Sequence, residues 1–492
     1  MTKTDLQYYS NIINGEQMTP ETNKWMDSID PATGKAWAKI PLSTKDDVDK
    51  ACKAANGAFP EWSKLSARMR GNYLRQVGDA LTEHIDELLE LETKNNGWVL
   101  DESRYGGIVL QDLWYDAAGA APVIGSRGQT TQMGWNHFGY TTRVPFGVVL
   151  GIIPWNAGLF TFTIKAAYAL AAGNTIVIKP SEQASVASLR YGEILSKVLP
   201  PGVVNVISGL GSDIGDALVS HKHVNKVSLT GSRQTAKAIS QNASNDPKPL
   251  VLELGGKSPN IVFEDADLET ATIGVLNGIY SPNAGQICSA GSRILIQRSI
   301  FDEMIALLKM KMTAPDAIRY GDTLNMNNNM GPIANKPQYD KVIQYLKMGE
   351  EEGAEMVFGG RYGGENILPN QPEYQDGYWV EPTLFKAENN DLRIVQEEIF
   401  GPIAVVTPFE DEEEAVQIAN NTEYGLAAGV WTNNLQLAHR MVEKIEAGNV
   451  WVNTYFGVGP DLPFGGFKGS GYGTDSILEY TREKASIINY GS

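Results

Sequence analysis

TIVIKPSEQASVASLRYGEILSKVLPPGVVNVISGLGSDIGDALVSHKHVNKVSLTGSRQTAKAISQNASNDPKPLVLELGG, residues 175–256, alternates two kinds of segment. The short β-branched runs TIVIKP, GVVNVISG, NKVSLTG and PLVLELGG are separated by SEQASVASLRYGEILSKVL, SDIGDALVSH and SRQTAKAISQNAS, which carry helical patterns. Strands that alternate with helices of this length build βαβ units and a parallel sheet, with ligands at the carboxyl ends of the strands. A nucleotide-binding, Rossmann-like layer is the natural reading.

Outward from this block, a second alternation runs from Ile294 to Trp451 with RILIQ, IAVVTPF, AAGVWT and GNVWVN as strands, so two α/β domains are expected. Between Asp46 and Phe59, Val48, Cys52, Ala55 and Phe59 recur at three- and four-residue steps, placing Cys52 on a buried helical stripe. Residues 124–145, with glycines among Thr, Gln and aromatic residues, read as an extended polar arm or hairpin. The 492 residues carry 42% hydrophobic and 20% charged side chains, a globular composition. A net charge of −17 repels phosphate backbones and anionic lipid, which argues against nucleic-acid and membrane partners. The two cysteines, Cys52 and Cys288, are too few for a disulfide framework, and the five histidines show no metal-ligand spacing. No signal peptide opens the chain and no apolar run is long enough to span a bilayer, so a cytoplasmic protein without a metal is expected.

Several strings carry potential chemistry beside a plainer reading. SGLGSDIG at 208–215 lacks the glycine at 214 that a dinucleotide loop needs and reads as a strand-to-helix turn. LTGS at 229–232 ends a strand at Gly231 and offers Ser232 as a helix cap, which suits an anion but also any helix start. Cys288 lies in NAGQICSAGSR, where small neighbours would admit a ligand; a lone cysteine is equally a small core residue, and reactivity needs a thiolate. Glu253 ends an apolar strand before two glycines, as a general base or as a strand-end surface carboxylate. Asn156 in IPWNAG reads as a site amide or a turn residue.

These strings occur together and in order: PWN at 154–156, KPSE at 179–182, LTGS, LELGGKSP at 252–259, GQICSAGSR at 285–293, EEIFGP at 397–402 and PFGGFKGSG at 463–471. On them the chain resembles the aldehyde dehydrogenase superfamily, in its hydrolytic, non-acylating form, from NIING at 11–15 to YTREKASI at 480–487. The resemblance implies a cofactor-binding domain over 1–123 and 146–254, a catalytic domain over 255–471, and an oligomerisation arm and tail over 124–145 and 472–492. A homodimer or homotetramer follows from it.

The resemblance further implies that Cys288 adds to an aldehyde to give a thiohemiacetal. Its oxyanion would be held by the Asn156 amide and the Cys288 N–H, and a water activated by Glu253 would hydrolyse the thioester left after oxidation. For the cofactor it implies Lys179 and Glu182 at the adenine-side ribose, with Glu182 favouring NAD over NADP by repelling a 2′-phosphate. Gly231 and Ser232 would meet the pyrophosphate, Trp155 would line the cleft, and Glu398 and Phe400 would hold the nicotinamide ribose and ring. Ala236 replaces a glycine common in the family.

Relatives that oxidise succinate semialdehyde carry arginines, and those that oxidise betaine aldehyde carry tryptophans, at positions that align with Ile164 and Pro282 here. Trp114, Phe160, Ile164, Ile287, Tyr455 and Phe456 remain as the expected substrate pocket, for an uncharged aliphatic or aromatic aldehyde. GTD at 473–475 departs from the family's glycine-arginine-glutamate, and Asp475 is expected at the surface more than in a proton relay. A coenzyme A acylating relative would lack Glu253, and a crystallin-like descendant without catalysis would have no reason to keep Cys288, Asn156, Glu253 and Glu398 together.

Overall fold

The computed structural model describes residues 6–124, 127–459 and 462–491. Residues 1–5, 125–126, 460–461 and 492, which fall within the ranges expected above, lie outside the described residues. The β-branched runs form an eight-stranded sheet in the order Gly471–Tyr472, Leu250–Glu253, Val224–Thr230, Val148–Ile152, Thr175–Lys179, Val204–Val206, Asn11–Ile13 and Glu16–Met18. The five central strands are parallel, and they pair Thr230 with Glu253 and Ile152 with Lys179. Their carboxyl ends therefore share one edge. Because the chain leaves Val148–Ile152 on one side and returns on the other at Val224–Thr230, this edge holds a topological switch point, where open α/β sheets bind ligands.

A second sheet orders Glu355–Phe358, Thr383–Lys386, Ile403–Phe409, Arg293–Gln297, Pro259–Val262, Ala427–Trp431 and Asn449–Val452, parallel except at Glu355–Phe358. The fold is α/β with mixed, largely parallel sheets. A three-stranded antiparallel sheet joins Thr130–Gln132 and His137–Pro145 to Thr481–Asn489, pairing the two segments expected to form an arm. Among the described residues no helix is long and apolar enough to cross a membrane.

Local chemistry explains the elements around the switch point. Ser232 caps the helix Arg233–Ala243 by accepting the Thr235 N–H at 3.1 Å, and Ala236 packs in the core beneath it. Cys52 is buried on the helix Lys45–Lys64 among Val48, Ala51 and Ala55. The helix Gly158–Ala171 starts without a cap of its own; Glu92, from the helix Ile85–Asn96, accepts the Leu159 N–H at 2.9 Å instead. Where the chain leaves the GQICSAGSR segment, buried Arg293 donates to the carbonyls of Lys257, Ile418 and Ala419 at 2.7 to 2.9 Å. Arg293→Leu strands those three acceptors, so urea unfolding should show a loss of about 3 kcal/mol or more; unchanged stability would remove Arg293 as a tie between the sheet and the helix Glu412–Asn420.

Candidate active site

A cavity of about 760 Å³ opens at the shared strand edge. Trp155, Gly231, Ser232, Glu398 and Phe400 line it, as do Asn156, Glu253 and Cys288, and Phe160, Ile164, Ile287 and Phe456. Gly256 allows the two sheets to meet: a Cβ there would fall 2.6 Å from the Cys288 carbonyl. Gly255 is equally constrained, since its Cβ would fall 2.0 Å from Glu398 Oε1, which accepts the Gly256 N–H at 2.9 Å. Two glycines after Glu253 are thus needed for close packing of the strand end against the Cys288 loop and Glu398.

Burial pushes the Cys288 thiol up to about 12, with the carboxylates of Glu253 and Glu398 adding to it, while the backbone N–H groups of Ser289 and Cys288 pull the other way. Burial also raises Glu253 well above the ordinary carboxylate range; Asp475 and Glu479 add to the rise, and Lys165 opposes it. Neither carboxyl oxygen of Glu253 has a hydrogen-bond partner among the described residues. Such a group is poised to take a proton from water that enters the cavity.

Asn156 is fixed from both ends. Its Nδ2 donates to the Gln286 carbonyl at 2.8 Å, and its backbone carbonyl accepts from Asn96 and Asn283 at 3.2 and 3.0 Å. An amide has two N–H groups, so one stays available for a substrate oxygen.

The cofactor end fits a dinucleotide. The N-terminus of the helix Arg233–Ala243 opens on the cavity at Gly231 and Ser232, the arrangement that suits a phosphate. The Thr230 hydroxyl is buried there without a partner among the described residues. Trp155 and Phe400 meet edge to face at 5.3 Å. Lys179 and Glu182 lie off this lining at the neighbouring strand end, where Lys179 Nζ donates to Glu182 Oε2 and to the Pro180 carbonyl, both at 3.1 Å.

Over residues 18–487 the sequence matches the profile of the Aldehyde dehydrogenase family. The chain belongs to the aldehyde dehydrogenase family. Aldehyde dehydrogenase 1 of Tanacetum cinerariifolium is 40% identical over 96% of this chain and 93% of its own length. A betaine aldehyde dehydrogenase of Sinorhizobium fredii is 40% identical over 98% and 97%. The NAD+ complex of aldehyde dehydrogenase from Bacillus cereus superposes with a TM-score of 0.93 at 36% identity, covering 99% of this chain and 97% of that one. This enzyme is accordingly an oxidoreductase that acts on the aldehyde group.

Three expectations for the dehydrogenase need correction. Trp114 is not in the pocket: it is fully buried in the helical core, where its indole N–H donates to the Tyr191 hydroxyl at 2.6 Å. Tyr455 lies behind the lining; its hydroxyl donates to the Ser289 carbonyl at 2.9 Å, and its ring fills space left by Gly278, Gly291 and Gly429. Asp475 is not at the surface, being 8% exposed, lining the cavity and pairing at 3.3 Å with fully buried Lys165. Lys165 also donates to Ser228 Oγ at 2.9 Å. Sequence reasoning missed Lys165, Glu92, Glu102 and Lys341, which line or brace the cavity from helices with no motif around them.

Asp475→Asn removes a negative charge that raises Glu253 and leaves Lys165, which lowers it. The ionisation of Glu253, followed by infrared difference spectroscopy of its carboxyl band, should shift to lower pH; a titration that stays in place would mean that Asp475 does not act on Glu253.

Proposed function

We propose that this enzyme oxidises an uncharged aldehyde to its carboxylic acid with NAD, through a covalent adduct on Cys288. The observation that carries the proposal is the convergence on one cavity of the Cys288 thiol, an Asn156 N–H not used by Gln286, and the Glu253 carboxyl, which has no partner among the described residues. The Cys288 thiol loses its proton to water in the cavity as its sulfur adds to the carbonyl carbon, and the carbonyl oxygen becomes an oxyanion, which the Asn156 amide and the Cys288 N–H stabilise where the charge develops. NAD, when bound along Gly231, Ser232, Trp155, Glu398 and Phe400, supplies the two-electron oxidant that makes the adduct a thioester. Glu253, ionised, then takes a proton from water as it adds to the thioester, and Cys288 departs as thiolate. The acidic Glu182 beside Lys179 supports NAD over NADP, because a 2′-phosphate there would meet a carboxylate.

Cys288→Ala should abolish NADH formation. Glu253→Gln should give one burst of NADH and then a steady rate lower by about 10² to 10⁴, with no recovery on adding coenzyme A to the parent or the variant. Steady turnover of Glu253→Gln at the parent rate would overturn the base assignment.

The substrate end favours an uncharged molecule. Phe160, Ile164, Ile287 and Phe456 are apolar, and the acidic side chains Glu92, Asp101 and Glu102 at the same cavity give an anionic aldehyde no cationic partner. They do not form a cation site either: Glu92 caps a helix and is raised by burial to about 7, Glu102 is held by three donors, and Asp101 sits in the first turn of the helix Leu100–Ile124, where the dipole favours it. In an aldehyde panel hexanal or benzaldehyde should give a higher kcat/KM than succinate semialdehyde or betaine aldehyde; a charged substrate ranking first would refute this class.

The proposal includes a homodimer or homotetramer. The sheet of His137–Pro145 and Thr481–Asn489 exposes Phe138, Ile487 and Ile488, and Trp135 projects beside it at 94% exposure. An apolar surface of this kind is expected to be covered by another copy.

A further inference from the structure

Three successive residues before the nucleophile, Asn283, Ala284 and Gly285, have φ of 54°, 51° and 72°. Asparagine enters this left-handed region readily but alanine resists it, and a run of three such residues persists only where its surroundings over-determine it. Part of the restraint is internal to the loop and Asn156. Gln286 Nε2 donates to the Asn283 carbonyl at 2.9 Å, Gln286 Oε1 accepts the Ala334 N–H at 2.9 Å, and Asn283 Nδ2 donates to the Asn156 carbonyl. The strained turn and the amide that faces the oxyanion are therefore one hydrogen-bonded unit.

The other part comes from a distant helix. Glu102, at the start of Leu100–Ile124, accepts the Ser281 hydroxyl on Oε1 at 2.6 Å, and on Oε2 it accepts the Asn283 N–H at 2.9 Å and the Trp98 indole N–H at 3.0 Å. It grips the chain on either side of Pro282, immediately before the left-handed run. We propose that Glu102 is a positioning residue that clamps the Ser281–Asn283 turn to this helix, and so holds Cys288 and Asn156 in register for attack on the aldehyde. The role is geometric and does not require the charge. Glutamine can keep its carbonyl oxygen toward Asn283 and Trp98 while its NH₂ donates to the Ser281 hydroxyl, which accepts as readily as it donates. Leucine, of similar reach, offers none of these bonds.

The inference rests on the proposed nucleophilic role of Cys288, and its test separates the two. Glu102→Leu and Glu102→Gln are compared with the parent for kcat, KM for NAD, and the rate at which iodoacetamide labels Cys288, followed by the mass of its peptide. Labelling needs no aldehyde and reports the loop even if aldehyde turnover fails. Glu102→Leu should lower kcat at least tenfold and change the labelling rate at least fivefold, with KM for NAD within twofold of the parent. Glu102→Gln should stay within threefold of the parent in both kcat and labelling. Parent-like kcat and labelling in Glu102→Leu would overturn the proposal, as would a Gln variant as impaired as the Leu variant, which would make the charge the active feature. If Glu102→Leu does not fold, Ser281→Ala, which removes one of the three bonds, should lower kcat and shift the labelling rate several-fold, and parent values in that variant would likewise overturn it.

Discussion

A buried carboxyl group that lines the cavity without a hydrogen-bond donor among the described residues is the constraint around which this site is built. Glu253 ends a buried strand, and its oxygens find no partner among the described residues. Such burial is costly unless the group stays protonated for much of its time. The same desolvation acts on the Cys288 thiol, so the thiol and the carboxyl are both held toward their neutral forms. Charge at one discourages charge at the other. The cavity therefore favours using the two groups in sequence, as the proposed covalent capture followed by hydrolysis demands.

Sheet register brings these groups together. With Ile152 level with Lys179 and Thr230 level with Glu253, the loops that follow each strand emerge along one line. The second sheet reaches that line only because the chain at Gly255 and Gly256 has no side chains in the way. Arg293 then fixes the exit of the Cys288 loop to a helix end more than a hundred residues away in sequence. Rigid elements on both sides leave the intervening loop little freedom.

Much of this was legible from the chain itself. The strands of 175–256 declared themselves by β-branched runs, and Cys288, Glu253 and Asn156 by the ordered strings around them. What stayed hidden depends on contacts between residues remote in sequence. Lys165 and Asp475 are 310 positions apart, and Ser281 and Glu102 are 179 apart; neither pair leaves a local pattern. Trp114 has no local mark of its side, because one aromatic residue on an amphipathic helix faces either core or cavity according to its neighbours, and the Tyr191 hydroxyl decides the matter. Asp475 was misread because a carboxylate in a polar, glycine-rich stretch looks solvated until a buried lysine is found opposite it.

Tyr455 and Phe456 stand side by side in the chain, both against Trp451, and differ in what else surrounds them. The first is wedged against three glycines from three separate segments, whereas the second borders open volume. Attempts to evolve new selectivity by saturating neighbouring aromatic positions would thus meet different tolerances: at 456 the left-handed backbone (φ 58°) and not the packing limits the choice, whereas any replacement at 455 calls for simultaneous refilling at 278, 291 and 429.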